Sequence, residues 1–264
     1  MELIGYLASV LMGLSLGLIG GGGSILTVPI LVYLFGADPV VSTAYSLFVV
    51  GLTSLVGSYS HFKKGNVHLK TALIFGVPSI ASVYAVRKFL VPAIPDPIFE
   101  TASFVLDKSL FVMLLFAVLM LLASLSMIRK PKIKEDAPGP VQYNYPLIFA
   151  EGLLVGGITG LVGAGGGFLI IPALVLLAGL PMKQAVGTSL LIIALKSLIG
   201  FTGDLGSGIT IDYRFMLVFS AFAMVGIVGG SYLTKYIPNE KLKPAFGWFV
   251  MVMGVYILGK ELLF

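Results

Sequence analysis

Two glycine-rich apolar stretches stand 143 residues apart and match position for position. The first runs Gly17-Leu18-Ile19-Gly20-Gly21-Gly22-Gly23-Ser24 and reaches Pro29; the second runs Gly160-Leu161-Val162-Gly163-Ala164-Gly165-Gly166-Gly167 and reaches Pro172. The same offset joins Gly36 to Gly179, Ser46 to Ser189, Ser54 to Ser197, Gly57 to Gly200 and Gly65 to Gly208, without a gap. A register held that far marks a duplicated unit. Each copy carries, inside an apolar segment, residues that leave helical geometry without steric cost. Backbone freed there must face protein, water or a ligand, because lipid cannot satisfy it. Interrupted segments at matching places in two halves point to a transport site where the helices break.

Composition supports a membrane setting. Of 264 residues, 58% are hydrophobic and 11% charged. A soluble domain could not hide that much apolar surface, whereas a bilayer crossing takes roughly 20 apolar residues. The runs are too continuously apolar for the alternating strands of a β-barrel. The fold expected is an all-α polytopic membrane protein. The net charge of +5 comes mostly from Lys and Arg in short loops, where it sets orientation and does not imply nucleic acid. There are no cysteines, which excludes disulfides, thiolate metal sites and cysteine chemistry. The start, Met1-Glu2-Leu3, lacks a basic leader, and its apolar run reads as part of the first repeat.

Apolar segments are expected at 3–35, 40–62, 69–91, 109–128, 146–178, 185–204, 212–234 and 244–262. They group into a first membrane repeat, 1–128, a polar linker, 129–145, and a second repeat, 146–264. The first segment of each half is too long for one ordinary crossing. It is either a long discontinuous helix or a re-entrant hairpin turning at the glycines. Loop charge favours the hairpin. Lys63 and Lys64 map to Gly206 and Ser207, and Arg87 and Lys88 to Gly230 and Ser231. If the second half is inverted, 11 of the 17 Lys and Arg collect on one side, five lie on the other, and Lys196 is left in the membrane. The expectation is therefore two homologous, inverted repeats, each a glycine-broken helical hairpin plus three transmembrane helices. The linker is then cytoplasmic and both termini are outside.

Inversion would bring two helix N-termini, near Ser24 and Gly167, together near mid-membrane. Helix starts carry unsatisfied N–H groups and about half a positive charge, so two of them can hold an anion. The candidate substrate-binding residues are Gly22, Gly23, Ser24, Thr27, Ser46, Gly165, Gly166, Gly167, Thr188, Ser189 and Lys196. Ser24 can cap its own helix or donate to a ligand oxygen. Lys196 reads as the only Lys or Arg deep in an apolar segment, a functional candidate unless it snorkels or pairs with Asp204. Ser54 and Ser197 are expected to bond carbonyls of their own helices. His61 and Asp204 read as interfacial residues, and Glu151 has a weak claim as a proton carrier. The spacings Gly13/Gly17 and Gly156/Gly160 read as helix-packing seams.

The doubled Gly-x-x-Gly-x-Gly-Gly pattern at Gly17 to Pro29 and Gly160 to Pro172 resembles the TauE/SafE family of sulfite and organosulfonate exporters. Gly187-Thr188-Ser189 and the loop His61-Phe62-Lys63-Lys64-Gly65 add to the likeness, which covers essentially the whole chain. The resemblance implies a secondary transporter in the cell membrane that exports a small sulfur-containing anion such as sulfite or sulfoacetate. It also implies a coupling ion, which can be a proton. The first half departs from the pattern with Ala44-Tyr45 opposite Gly187-Thr188. An anion channel is the alternative built from the same parts. A lipid phosphatase would want Glu, His and Arg near the breaks, and none lies within 13–36 or 156–179. Neither cofactor nor metal is expected, and the other partners are membrane lipid and the substrate, with no nucleic acid.

Overall fold

The computed structural model describes residues 2–101, 104–128, 145–206, 208–234, 236 and 239–263. The expected linker lies outside the described residues except for Tyr145. The chain is nearly all helical. In the first half α1 is Glu2–Ile19, α2 Thr27–Phe35, α3 Pro39–Lys63, α4 Leu69–Ala85 and α5 Lys108–Ile128. In the second half α6 is Tyr145–Val162, α7 Gly167–Leu176, α8 Met182–Asp204, α9 Tyr213–Leu233 and α10 Asn239–Leu263. The helix α1 shifted by 143 residues gives the bounds of α6, and α3 shifted likewise begins where α8 begins. A 3₁₀ turn, Gly22–Leu26, precedes α2. The helix α4 continues through a π turn, Val86–Leu90, into one last turn, Val91–Ala93. One small departure from an all-helical chain is a β hairpin in the 92–108 connection, where β1 (Phe99–Thr101) pairs antiparallel with β2 (Phe104–Leu106).

Local chemistry explains the boundaries. Asp38 accepts the Val41 N–H at 3.0 Å and Pro39 takes the first helical position. The helix α3 therefore starts where a side-chain cap and a preset φ coincide. Asp212 caps α9 in the same way through the Phe215 N–H, at 2.9 Å. Twenty-five helical residues span about 37 Å, enough to cross a bilayer. Among the described residues, seven helices are long and apolar enough for this. Their outward faces are apolar as well. Leu3, Leu7 and Leu11 on α1, Val225, Val228 and Tyr232 on α9, and Val252, Val255 and Tyr256 on α10 are each more than half exposed. Such a surface suits lipid and would be a liability in water.

Glycine contacts give the helix directions. Gly23 packs on Ser15 and Leu16, and Gly5 on the Phe35 ring, so α2 folds back along α1. Gly13 and Gly17 lie on Ala223 and Ile227, and Gly226 and Gly230 on Val10 and Leu14, making a parallel seam between α1 and α9. Gly152, Gly156 and Gly160 meet Phe75, Ser79 and Val83 in the same manner, making a parallel seam between α6 and α4. The expectation that Gly13/Gly17 and Gly156/Gly160 are packing residues holds, since backbones approach closely only where no side chain intervenes. By contrast α3 and α8, which occupy equivalent places, run antiparallel: Gly51 meets Leu198 and Gly57 meets Leu190. The equivalent pair α5 and α10 is antiparallel too, with Gly254 against Leu121 and Gly247 against Met127.

Candidate functional site

The two breaks meet at the centre of the bundle. A Cβ on Gly165 would touch Val50 of α3 and Ile193 of α8, the middle residues of those helices. Gly21 and Gly167 approach backbone to backbone: a Cβ on Gly21 would stand 2.7 Å from the Gly167 Cα. The left-handed φ of Gly163 (68°) and Gly166 (72°) turns the chain between α6 and α7, a geometry open to glycine at no steric cost. Among the described residues, no acceptor meets the N–H groups of Ala164, Gly165 and Gly166.

All eleven candidate residues are buried. Ser46 and Ser189 do equivalent work across the halves. Ser46 Oγ donates to the Gly163 carbonyl at 2.7 Å, and Ser189 Oγ donates to the Gly20 carbonyl at 3.3 Å and to Val186 at 2.8 Å. Each hydroxyl thus satisfies a carbonyl left open where the other half's first helix ends. Thr188 Oγ1 accepts the His68 N–H at 2.9 Å, at the start of α4, so its oxygen helps to fix a helix start. Tyr45, in the equivalent place, accepts the Asp212 N–H at 2.7 Å, at the start of α9. The departure Ala44-Tyr45 therefore preserves the contact with a longer side chain.

The remaining candidates divide. Gly22 faces Ile19 and Met127, and Gly23 faces α1, so in this conformation both serve packing. Ser24 does not cap a helix. Its Oγ turns back to the Gly21 carbonyl at 2.7 Å, and Thr27 Oγ1 does the same to Ser24 at 3.1 Å. Ser24 lies inside the 3₁₀ turn, three residues before α2 begins at Thr27, whereas α7 begins directly at Gly167.

Lys196 reaches into the second break. Its Nζ donates to Thr159 Oγ1 at 2.6 Å, and a Cβ on Gly166 would lie 3.0 Å from it. Thr159 Oγ1 in turn donates to the Val155 carbonyl at 2.7 Å. The ammonium is fully buried, and among the described residues no carboxylate lies within ion-pair distance. It does not pair with Asp204. It stands instead beside Gly166, the N-cap of α7, so two positive features face one another across the break.

Asp204 is paired elsewhere, which corrects its reading as an interfacial residue. Its Oδ2 lies 2.8 Å from Nη2 of Arg87 and accepts from Nε at 2.9 Å. Arg87 Nη1 donates to Thr43 Oγ1 at 2.9 Å and to the Gly160 carbonyl at 3.2 Å. Arg87 is fully buried in the π turn of α4, so Lys196 is not the only deeply placed cation. Sequence reasoning missed Arg87 because it stands near the end of its apolar segment, where cations read as loop residues. Ser54 and Ser197 also differ from expectation: both Oγ atoms are buried and have no hydrogen-bond partner among the described residues. Glu151 is half-buried on α6, and its Oε2 likewise has none.

The family profile described as "Sulfite exporter TauE/SafE" matches residues 5–257. The chain belongs to the TauE/SafE family. It is similar to a "Probable membrane transporter protein" of Xylella fastidiosa (strain 9a5c), 31% identical over 267 residues, covering 95% of this chain and 92% of the relative. The probable membrane transporter protein YunE of Bacillus subtilis (strain 168) is 29% identical, with 98% and 97% covered. An archaeal relative from Methanocaldococcus jannaschii, the probable membrane transporter protein MJ0441, is 29% identical, with 94% of each covered. No solved structure matches this chain. This TauE/SafE chain is thus a multi-pass membrane transporter, and its family and relatives are named for transport rather than catalysis.

Proposed function

We propose that this transporter exports a small sulfur-containing anion, sulfite or an organosulfonate such as sulfoacetate, by alternating access, and holds it where the two breaks meet. One observation carries the reading. The Lys196 ammonium and the N-cap of α7 lie side by side without a carboxylate in range among the described residues. Two positive features so placed repel each other until an anion sits between them. Oxyanion recognition would come from Lys196 and the N–H groups of Ala164, Gly165 and Gly166.

The halves act as inverted repeats, each with a re-entrant hairpin and three crossings. Support comes from the antiparallel packing of α3 with α8 and of α5 with α10, and from the return of α2 along α1. The linker 129–145 then faces the cytoplasm. Backbone contact between Gly21 and Gly167 favours a carrier over an open pore. The test is a thermal-shift screen of the purified protein against sulfite, sulfate, thiosulfate, sulfoacetate and taurine, followed by counterflow of the stabilising anion in liposomes. A bound anion raises the melting point by mass action. No shift with any of the five, and no saturable exchange, would refute the reading.

A further inference from the structure

The ionic cluster around Arg87 ties four helices at one end of the bundle. Arg87 belongs to the continuation of α4, Asp204 ends α8, Thr43 lies early in α3, and Gly160 lies in the last turn of α6. Two of these helices come from each half. Arg87, Asp204 and Thr43 lie toward the end where α3 and α9 begin and where α4 and α8 finish, and the Gly160 carbonyl meets Arg87 from the side of the second break. The second break is close below, since a Cβ on Gly163 would run into the backbone of Thr43.

The equivalent positions in the opposite half are different. A shift of 143 residues carries Arg87 to Gly230, Thr43 to Val186 and Gly160 to Gly17, and places Asp204 opposite His61. There the helices meet through glycine: a Cβ on Gly17 would lie 3.1 Å from the Gly230 carbonyl carbon. His61 Nδ1 is buried with no hydrogen-bond partner among the described residues. Among the described residues, one end of the bundle is therefore held by a buried ion pair, and the other by glycine contacts and uncharged hydrogen bonds such as that from the His68 N–H to Thr188. A charge pair in a membrane-buried position is expensive to keep and expensive to split.

We propose that Arg87 and Asp204 form the latch that holds the transport pathway shut at the end opposite the linker, and that they separate each time the pathway opens there. The proposal rests on the alternating-access reading above. Opening that end means moving α4 away from α8, and only this pair spans the two with opposite charges among the described residues. The other end can open by sliding glycine-faced helices without separating charges.

The chain has no cysteine, so a single reporter thiol can be placed cleanly. Leu47 is fully buried on α3, one turn below Thr43 and beside Gly200 of α8. In liposomes, Leu47→Cys should react slowly with a membrane-impermeant maleimide applied from the latch side. Adding Arg87→Gln with Asp204→Asn removes both charges together, and labelling should rise by about tenfold or more. Unchanged labelling in a double variant that melts like the parent overturns the latch, whatever becomes of sulfite transport. A second experiment does not depend on that variant folding. In Arg87→Cys/Asp204→Cys, a bifunctional maleimide, whose thioether bridge sulfite does not cleave, should stop sulfite counterflow once excess reagent is removed, while a monofunctional maleimide leaves it running. Transport that continues with the bridge in place overturns the proposal. Absence of sulfite counterflow in the parent protein counts against the substrate reading alone, because the labelling readout requires no substrate.

Discussion

Replacing Lys196 by Met should make the protein more stable and unable to carry its substrate. The ammonium is fully buried and, among the described residues, makes one hydrogen bond, to Thr159, at 2.6 Å. Losing a hydrogen bond from a charged donor costs about 1.5–3 kcal/mol. Thr159 keeps its bond to the Val155 carbonyl, so no hydroxyl proton is stranded. Against this stands the cost of holding a charge out of water, about 3 kcal/mol for Lys at a helix centre on insertion scales and several kcal/mol in a protein interior. Met fills nearly the same length with no charge. The balance favours the variant by about 1 kcal/mol, a rise in melting temperature of about 2–4 °C for a chain of this size. The assay is thermal unfolding of both proteins in the same lipid–detergent mixture, with and without sulfite. Lys196→Met should melt higher without anion and show no anion-dependent shift, and its counterflow should fall at least about tenfold, the loss of one ~1.4 kcal/mol contact. A variant that melts several degrees lower and keeps its anion shift would refute the reasoning, because Lys196 would then be a structural partner.

Gly36→Ala and Gly163→Ala separate backbone strain from crowding. Both positions have left-handed φ, but nothing lies within 4 Å of a Cβ at Gly36, while one at Gly163 meets the Thr43 backbone. The first should cost about 1 kcal/mol and the second about 3 kcal/mol once overpacking is added, read as the difference in melting temperature. Ser46→Ala and Ser189→Ala should each cost about 1 kcal/mol, since each strips a hydroxyl from the other half's helix end. A large effect from one with none from the other would contradict their equivalence. A thiol introduced by Lys134→Cys should be labelled in inside-out vesicles and not in intact cells; the reverse would overturn the cytoplasmic linker.

Much of this architecture is legible in the order of residues alone. The apolar segments match the helices closely because runs such as 109–128 admit no other element, and Asp38-Pro39 announces a helix start. The breaks are legible because consecutive glycines rarely serve packing alone. The Arg87–Asp204 pair is not. Both residues stand near segment ends, where charges commonly meet headgroups, and a partner 117 positions away leaves no trace in one sequence. The equivalence of Tyr45 and Thr188 is hidden for another reason: different side-chain lengths reach the same kind of helix start. Spacing predicts that Ser54 and Ser197 bond their own helices, as Thr53 does through Val49. That their hydroxyls find no partner among the described residues depends on side-chain rotation, which spacing does not encode.

The seams and caps shared between the halves bear on how the protein can be made. Early in synthesis, α1 lacks the α9 surface that its glycines fit, and α4 lacks both α6 and the Thr188 hydroxyl that accepts from its N-cap residue, His68. The first half must therefore wait in the bilayer as loosely associated helices until the last third of the chain is inserted. A gene cut in the linker should yield two fragments that are each degraded when expressed alone and rescued when expressed together. If the repeats are inverted as proposed, a lone repeat could complete itself only by meeting a second copy inserted the other way up.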